Sequence, residues 1–304
     1  PKRTVRTEDG VELAVREVGS ALAPLTIVFV HGYCLRMQSW HLQMRHLQER
    51  WGKDVRMVFY DQRGHGESGA PRSKSCTIAQ LGRDLGTVID TVAPTGPVVV
   101  VGHSMGGMTT IALAAQRPEL FDQRIVGVGL LATTAAGLTK TGIGRNLENP
   151  VIDGFRHLAR TAPGFVQYTR GAAKAIIAPI LRAASYGTVV SPKLVEFSDR
   201  MLAETSVLTI VNFLRTLELH DESAALPVLG RVPALVLCGD ADMIIPFSGS
   251  EELAAALPDV ELKRVRGAGH LVQLEFPEVV VGALDRLIQR GFAHDAGRRR
   301  AAIG

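Results

Sequence analysis

The sequence predicts an α/β protein, with a mostly parallel central sheet, helices on both faces and an inserted helical block. Three observations predict it. Short, continuous apolar runs recur along the chain and end in glycine-rich turns. Segments with apolar residues at helical spacing lie between those runs. One long stretch, 132–231, breaks the alternation with helical patterns and few extended runs. Strands alternating with helices are the pattern of a sheet covered on both faces.

The elements follow in chain order. Val5 to Thr7 and Val11 to Val18 flank Glu8-Asp9-Gly10, and the Asp-Gly pair predicts a hairpin. Leu25 to Val30 is a near-continuous apolar run, as expected of a central strand buried on both faces. Val55 to Tyr60, Pro97 to Val101, Ile125 to Leu131 and Ala234 to Cys238 repeat that pattern, and Val260 to Val265 supplies a later strand. Thr77 to Val92 carries Ile78, Leu81, Leu85, Val88, Ile89 and Val92 on one helical face, and Met105 to Gln116 is a second helix stopped by Pro118. Within the inserted block the expected helices are 151–160, 165–184, 192–203 and 206–220. Helices at 248–257 and 278–289 complete the pattern, and the Arg- and Ala-rich tail from His294 is expected to fray.

Composition narrows the class. The chain has 304 residues, enough for one large core with an insertion. Its net charge of +4 comes from 34 basic and 30 acidic residues, and Arg298, Arg299 and Arg300 supply three of those charges. The body is therefore close to neutral, which argues against a nucleic-acid partner. Cys34, Cys76 and Cys238 are an odd, unpatterned set, fitting neither a disulfide framework nor a zinc site. No stretch reaches the roughly 20 apolar residues that span a bilayer. The N-terminus has no charged-then-apolar signal pattern, so the chain reads as soluble and cytoplasmic.

The sharpest chemical signal is Gly102-His103-Ser104-Met105-Gly106-Gly107, placed between a buried strand and a helix. A serine on so tight a turn needs small neighbours, hence Gly102 and Gly106. The helix that starts there points free N–H groups at developing negative charge, and the Met105 N–H is the first expected oxyanion donor. A serine nucleophile needs a base, and the base needs an orienting acid. For an elbow on a parallel sheet the expected chain order is serine, acid, histidine. Gly239-Asp240-Ala241-Asp242 follows one late strand and Gly267-Ala268-Gly269-His270 follows the next. Asp242 is the expected acid, because the turn must pass the strand end before a carboxylate can return to the histidine. Asp240 is expected to bond local backbone N–H groups. Of nine histidines, His270 alone lies in a Gly-flanked loop after a late strand. His31 and His65 sit in glycine turns as scaffolding, and His103 is locked inside the elbow. The turn His31-Gly32-Tyr33 brings backbone to the same rim, and Tyr33 is the second expected oxyanion donor.

These residues resemble the α/β-hydrolase superfamily, in its capped, lipase- and esterase-like branch. The resemblance covers nearly the whole chain. It rests on His31-Gly32, on Asp61-Gln62-Arg63-Gly64-His65-Gly66-Glu67-Ser68, on Gly102 to Gly107, on Gly239 to Asp242 with Pro246, and on Gly267 to His270. It implies the α/β-hydrolase fold, a triad of Ser104, Asp242 and His270, oxyanion donors at Tyr33 and Met105, and a structural role for the Asp61 to Ser68 segment. Core residues would be 1–131 and 232–293, with a helical cap at 132–231 and a basic tail at 294–304. One departure is Cys34, where many members have glycine. A serine in the elbow, not an aspartate, counts against the haloalkane dehalogenases and epoxide hydrolases.

The cap contains aliphatic clusters, Ala175 to Leu181, Val207-Leu208 and Ile210-Val211, and carries eleven Lys/Arg against eight Asp/Glu. Such a lining suits an acyl chain. The first expectation is a carboxylic-ester hydrolase acting on a small-molecule ester with a hydrophobic acyl group, with neither metal nor organic cofactor. A carbon–carbon bond hydrolase or cofactor-free perhydrolase with the same triad, and a receptor built on this fold, stay open.

Overall fold

The computed structural model describes residues 2–138 and 184–302. The expected helix 151–160, nearly all of 165–184, and the Ala175 to Leu181 cluster lie outside those residues. The strands are β1 (Lys2–Arg6), β2 (Glu12–Val18), β3 (Leu25–Val30), β4 (Val55–Tyr60), β5 (Val98–His103), β6 (Ile125–Leu131), β7 (Ala234–Gly239) and β8 (Val260–Val265). They form one eight-stranded sheet in the order β1-β2-β4-β3-β5-β6-β7-β8. The expected hairpin is the antiparallel pair β1 and β2, and β2 also runs antiparallel to β4. Every later pairing is parallel.

Alternate residues of the central strands serve different cores, which is why their sequences are mostly apolar, with polar exceptions such as Thr26 and Arg56. Val28, Val30, Val58, Tyr60, Val98, Val100, Val128 and Leu130 face one cluster. Leu85, Val88 and Ile89 of α2 (Ile78–Val92) and Ile111, Leu113 and Ala114 of α3 (Met105–Gln116) complete it. On the opposite face, Ile27, Phe29, Met57, Phe59, Val99, Val101, Leu235 and Leu237 meet Leu284, Leu287 and Ile288 from the C-terminal helix. Leu47 of the helix His41–Trp51 joins that second cluster.

Two expectations change. Pro118 does end the preceding helix, but it also begins a short one, Pro118–Gln123, because proline suits the first helical position, where no N–H is required. The tail does not fray at His294: the last helix runs Pro277–Ala301. Composition alone suggested a solvated end, but Arg298 is anchored in the fold. It donates to the Ile125 carbonyl at 2.9 Å and to that of Phe121, satisfying acceptors where β6 begins.

Between β6 and β7 the described helices are α5 (Pro192–Glu204), α6 (Val207–Glu218) and a short Leu226–Leu229. Ser191 and Ser206 cap the first two, accepting from the N–H groups of Leu194 and Thr209. Ala225 and Leu229 pack with Leu113 and Ala114 in the main core, so the end of this block belongs to the body of the fold. Among the described residues no helix is long and apolar enough to cross a membrane.

Candidate active site

Ser104 sits between β5 and α3 with φ 53° and ψ −119°, a conformation costly for a residue with a side chain. The surroundings hold it there. Its N–H donates to the Leu131 carbonyl at 2.9 Å. Its carbonyl accepts from the Thr133 hydroxyl at 2.8 Å and from the Gly107 N–H at 2.9 Å. The expectation about glycine has a geometric basis. A Cβ on Gly106 would lie 2.2 Å from the Val30 carbonyl oxygen, and one on Gly102 would lie 2.3 Å from that of Gly106.

His270 follows β8 in the loop that packs back over the rim. Its Nε2 is 2.9 Å from Ser104 Oγ and its Nδ1 is 2.8 Å from Asp242 Oδ2. A carboxylate only accepts, so the Nδ1 proton points at Asp242 and the Nε2 lone pair faces the serine hydroxyl. The three residues are nearly shut off from water, at 8%, 6% and 4% exposure for Ser104, His270 and Asp242. Asp242 is fixed in turn. Its Oδ1 accepts from the N–H groups of Ile244 at 2.8 Å and Ile245 at 2.9 Å. The Cys238 thiol donates to Oδ2 at 3.6 Å, and burial, followed by the Asp242 charge, pushes that thiol well above its ordinary range. Asp240 does bond a backbone N–H, but in the His270 loop and not in its own turn: it accepts from the Gly267 N–H at 2.7 Å.

The Tyr33 turn passes against Ser104: a Cβ on Gly32 would come within 3.2 Å of Ser104 Cβ and 2.6 Å of His103 Nδ1. Met105 is the first residue of α3, whose opening N–H groups have no acceptor within the helix. The Tyr33 phenol donates to the Ile210 carbonyl of α6, and the residue packs against the apolar cluster that contains Met105, Met108, Phe213, Leu217 and Ile245. Cys34 has φ 59°, in the left-handed region that favours glycine, the residue that many members of the family it resembles carry there.

His31, His65 and His103 are buried scaffolding, and burial holds all three below the ordinary histidine range. His31 Nδ1 donates to the Gly32 carbonyl at 2.8 Å, while Nε2 accepts from the Gln62 N–H at 2.9 Å. Burial pushes His65 down to about 4. Burial, then repulsion from His270, pushes His103 down to about 3. The His103 ring donates from Nε2 to the His270 carbonyl at 2.8 Å, a contact nothing in the linear sequence signals. The Asp61 to Ser68 segment is structural. Asp61 accepts from the N–H groups of Met37 at 2.7 Å and Glu67 at 2.9 Å. Arg63 is fully buried and forks onto Asp84 at 2.6 and 2.7 Å, while its other edge reaches Asp9.

A parallel sheet with a serine elbow, and with a histidine and an acid on the following strand ends, defines a class of hydrolases. The family model described as alpha/beta hydrolase fold matches residues 26–277. The chain belongs to this family and is a hydrolase. It is similar to the mouse protein named sn-1-specific diacylglycerol lipase ABHD11, 25% identical over 267 residues that cover 88% of this chain and 81% of that one. It is 26% identical over 262 residues to the monoacylglycerol lipase of Mycolicibacterium smegmatis, covering 81% of each. Among solved structures, the thermophilic esterase of Thermogutta terrifontis superposes with a TM-score of 0.74 at 25% identity, covering 96% of this chain and 99% of that one.

Proposed function

We propose that the protein is a serine ester hydrolase that works through an acyl-enzyme on Ser104. The observation that carries this reading is the unbroken hydrogen-bond chain from Ser104 Oγ through His270 to Asp242, at 2.9 and 2.8 Å. His270 Nε2 takes the hydroxyl proton as Ser104 Oγ attacks the ester carbonyl. Asp242 holds the imidazole in the required tautomer and stabilises the imidazolium. The N–H groups of Tyr33 and Met105 bind the oxyanion. His270 then protonates the departing alcohol, which leaves the acyl group on Ser104. Water, deprotonated by His270, attacks that acyl group and releases the acid.

In this reading residues 132–231 act as a cap over the serine and the substrate is a small-molecule ester with a hydrophobic acyl group. One feature supports it. The α6 side chains Phe213 and Leu217 share one apolar cluster with Met105 and Ile245, beside the nucleophile and the acid loop. Val207, Ile210 and Val211, expected to add to an acyl lining, are buried in packing the helix and lend that lining no support. The test is hydrolysis of a series of p-nitrophenyl esters, from acetate to palmitate, with Ser104→Ala in parallel and a fluorophosphonate probe for the nucleophile. Turnover by the wild type, lost in the variant, supports the reading, and the chain-length optimum sizes the acyl site. Inactivity with labelled Ser104 would move the substrate away from simple esters. Inactivity without labelling would overturn the acyl-enzyme.

A further inference from the structure

We propose that Glu275 is a positioning residue for the base. On this proposal its carboxylate sets where His270 stands relative to Ser104, and ties that loop to the segment 185–188 within the insertion. The inference rests on the reading of His270 as base.

The geometry is a three-way junction of backbone. Glu275 Oε2 accepts from the Gly269 N–H at 2.7 Å, the residue directly before His270. Glu275 Oε1 accepts from the Thr188 N–H at 2.6 Å and the Thr188 hydroxyl at 2.5 Å. The Gly187 N–H is shared between the two oxygens, at 3.1 and 3.2 Å. The chain on the other side of the base is held as well: the Leu271 N–H donates to the Ser185 carbonyl at 2.8 Å. No side chain fits between these segments. A Cβ on Gly269 would lie 2.5 Å from the Gly187 nitrogen, and one on Gly187 would lie 2.1 Å from the Gly267 carbonyl oxygen.

Two backbones this close turn several N–H donors toward one place, and an anion with two acceptor oxygens satisfies them together. Glu275 sits at the end of the short helix Val272–Glu275 that follows the base, so its backbone moves with the loop it holds. His103 secures the next residue along, donating to the His270 carbonyl. The base is therefore fixed from the elbow by His103 and from the insertion by Glu275. Removing the carboxylate frees the Gly269 peptide to turn and lets His270 drift from a serine that it meets at 2.9 Å. A displacement of about 1 Å at a catalytic group costs on the order of a hundredfold.

The experiment compares wild type, Glu275→Gln, Glu275→Ala and Asp285→Ala. Asp285 pairs with Arg50 and Trp51 on the far helices and serves as a control that lowers stability without touching the site. Each is measured for kcat and KM on a short p-nitrophenyl ester, rate of fluorophosphonate labelling, and thermal midpoint. E275Q keeps the side chain's length but turns an NH₂ toward N–H donors. Its kcat and labelling rate are expected to fall about tenfold to a hundredfold together, with KM within about threefold. E275A should lose at least as much, while D285A should lower the midpoint and keep wild-type kinetics. Labelling of E275Q at the wild-type rate would overturn the proposal, and E275Q decides the matter if E275A does not fold. An effect in D285A equal to that in E275Q would also overturn it, by reducing Glu275 to a stability role. If the wild type itself neither turns over nor is labelled, the acyl-enzyme reading fails and this inference falls with it.

Discussion

Asp242→Asn tests the site with an outcome that the geometry dictates. In the native protein Oδ1 accepts from two backbone N–H groups, those of Ile244 and Ile245, while Oδ2 faces His270 Nδ1 at 2.8 Å. An asparagine has one oxygen to offer. Two donors compete for it at the Oδ1 position, so its NH₂ must take the Oδ2 position and point at the imidazole. The imidazole then has to present its Nδ1 lone pair and carry the proton on Nε2, aimed at Ser104 Oγ. In that tautomer it cannot accept the serine proton. The fold should survive, because the Ile244 and Ile245 bonds are kept. The expected loss in kcat is on the order of 10⁴, about 5 kcal/mol of transition-state stabilisation. The assay is p-nitrophenyl ester hydrolysis with Ser104→Ala as background and the thermal midpoint as a check on folding. A folded D242N variant within tenfold of wild type would refute the tautomer argument and the role of Asp242 with it.

Three further outcomes follow from the same contacts. Gly106→Ala puts a Cβ 2.2 Å from the Val30 carbonyl oxygen and 2.7 Å from that of His31, both on backbone that cannot yield, so soluble yield and labelling of Ser104 should collapse. Wild-type behaviour there would mean that the elbow is looser than these contacts require. Arg63→Met leaves Asp84 buried without its partner and should cost about 3–5 kcal/mol in urea unfolding, whereas a loss under about 1 kcal/mol would show that the pair is solvated. His65 is held near 4 by burial, below its ordinary 6.5, so the unfolded chain binds its proton first and stability falls as pH drops from 6.5 toward 4. That group alone should contribute ~2 kcal/mol of loss between about pH 7 and 5, visible in the urea midpoint and reduced in His65→Asn. A slope unchanged by the substitution would remove His65 as its source.

Much of this fold was legible because burial on both faces leaves a plain trace. The central strands are dominated by apolar residues, and runs such as Leu25 to Val30 and Ile125 to Leu131 coincide with the strands. Ser104, Asp242 and His270 were legible for a related reason. Each stands just past a strand end in a glycine turn, and parallel strands bring those ends to one rim. What stayed hidden shares a different character. Thr133, His103 and Arg298 act on backbone carbonyls of residues far away in sequence, and a carbonyl carries no residue type to read. Composition pointed the wrong way at the tail for that reason: three arginines look solvated until Phe121 and Ile125 present acceptors to one of them.

The same logic applies to glycines distant from the elbow. Gly239 bears no chemistry, yet a Cβ there would lie 2.0 Å from the Ala268 carbonyl oxygen, the acceptor that the Ala241 N–H reaches at 3.0 Å. That bond fastens the Asp242 loop to the His270 loop, with Ala241 next to Asp242 and Ala268 next to Gly269. Together with the Gly187 and Gly269 contact, it makes the distance from Asp242 to His270 a property of backbone packing. A methyl group at Gly239 or Gly269 has to push neighbouring loops apart before it reaches any side chain of the site. Such positions should therefore tolerate substitution as poorly as the glycines flanking Ser104.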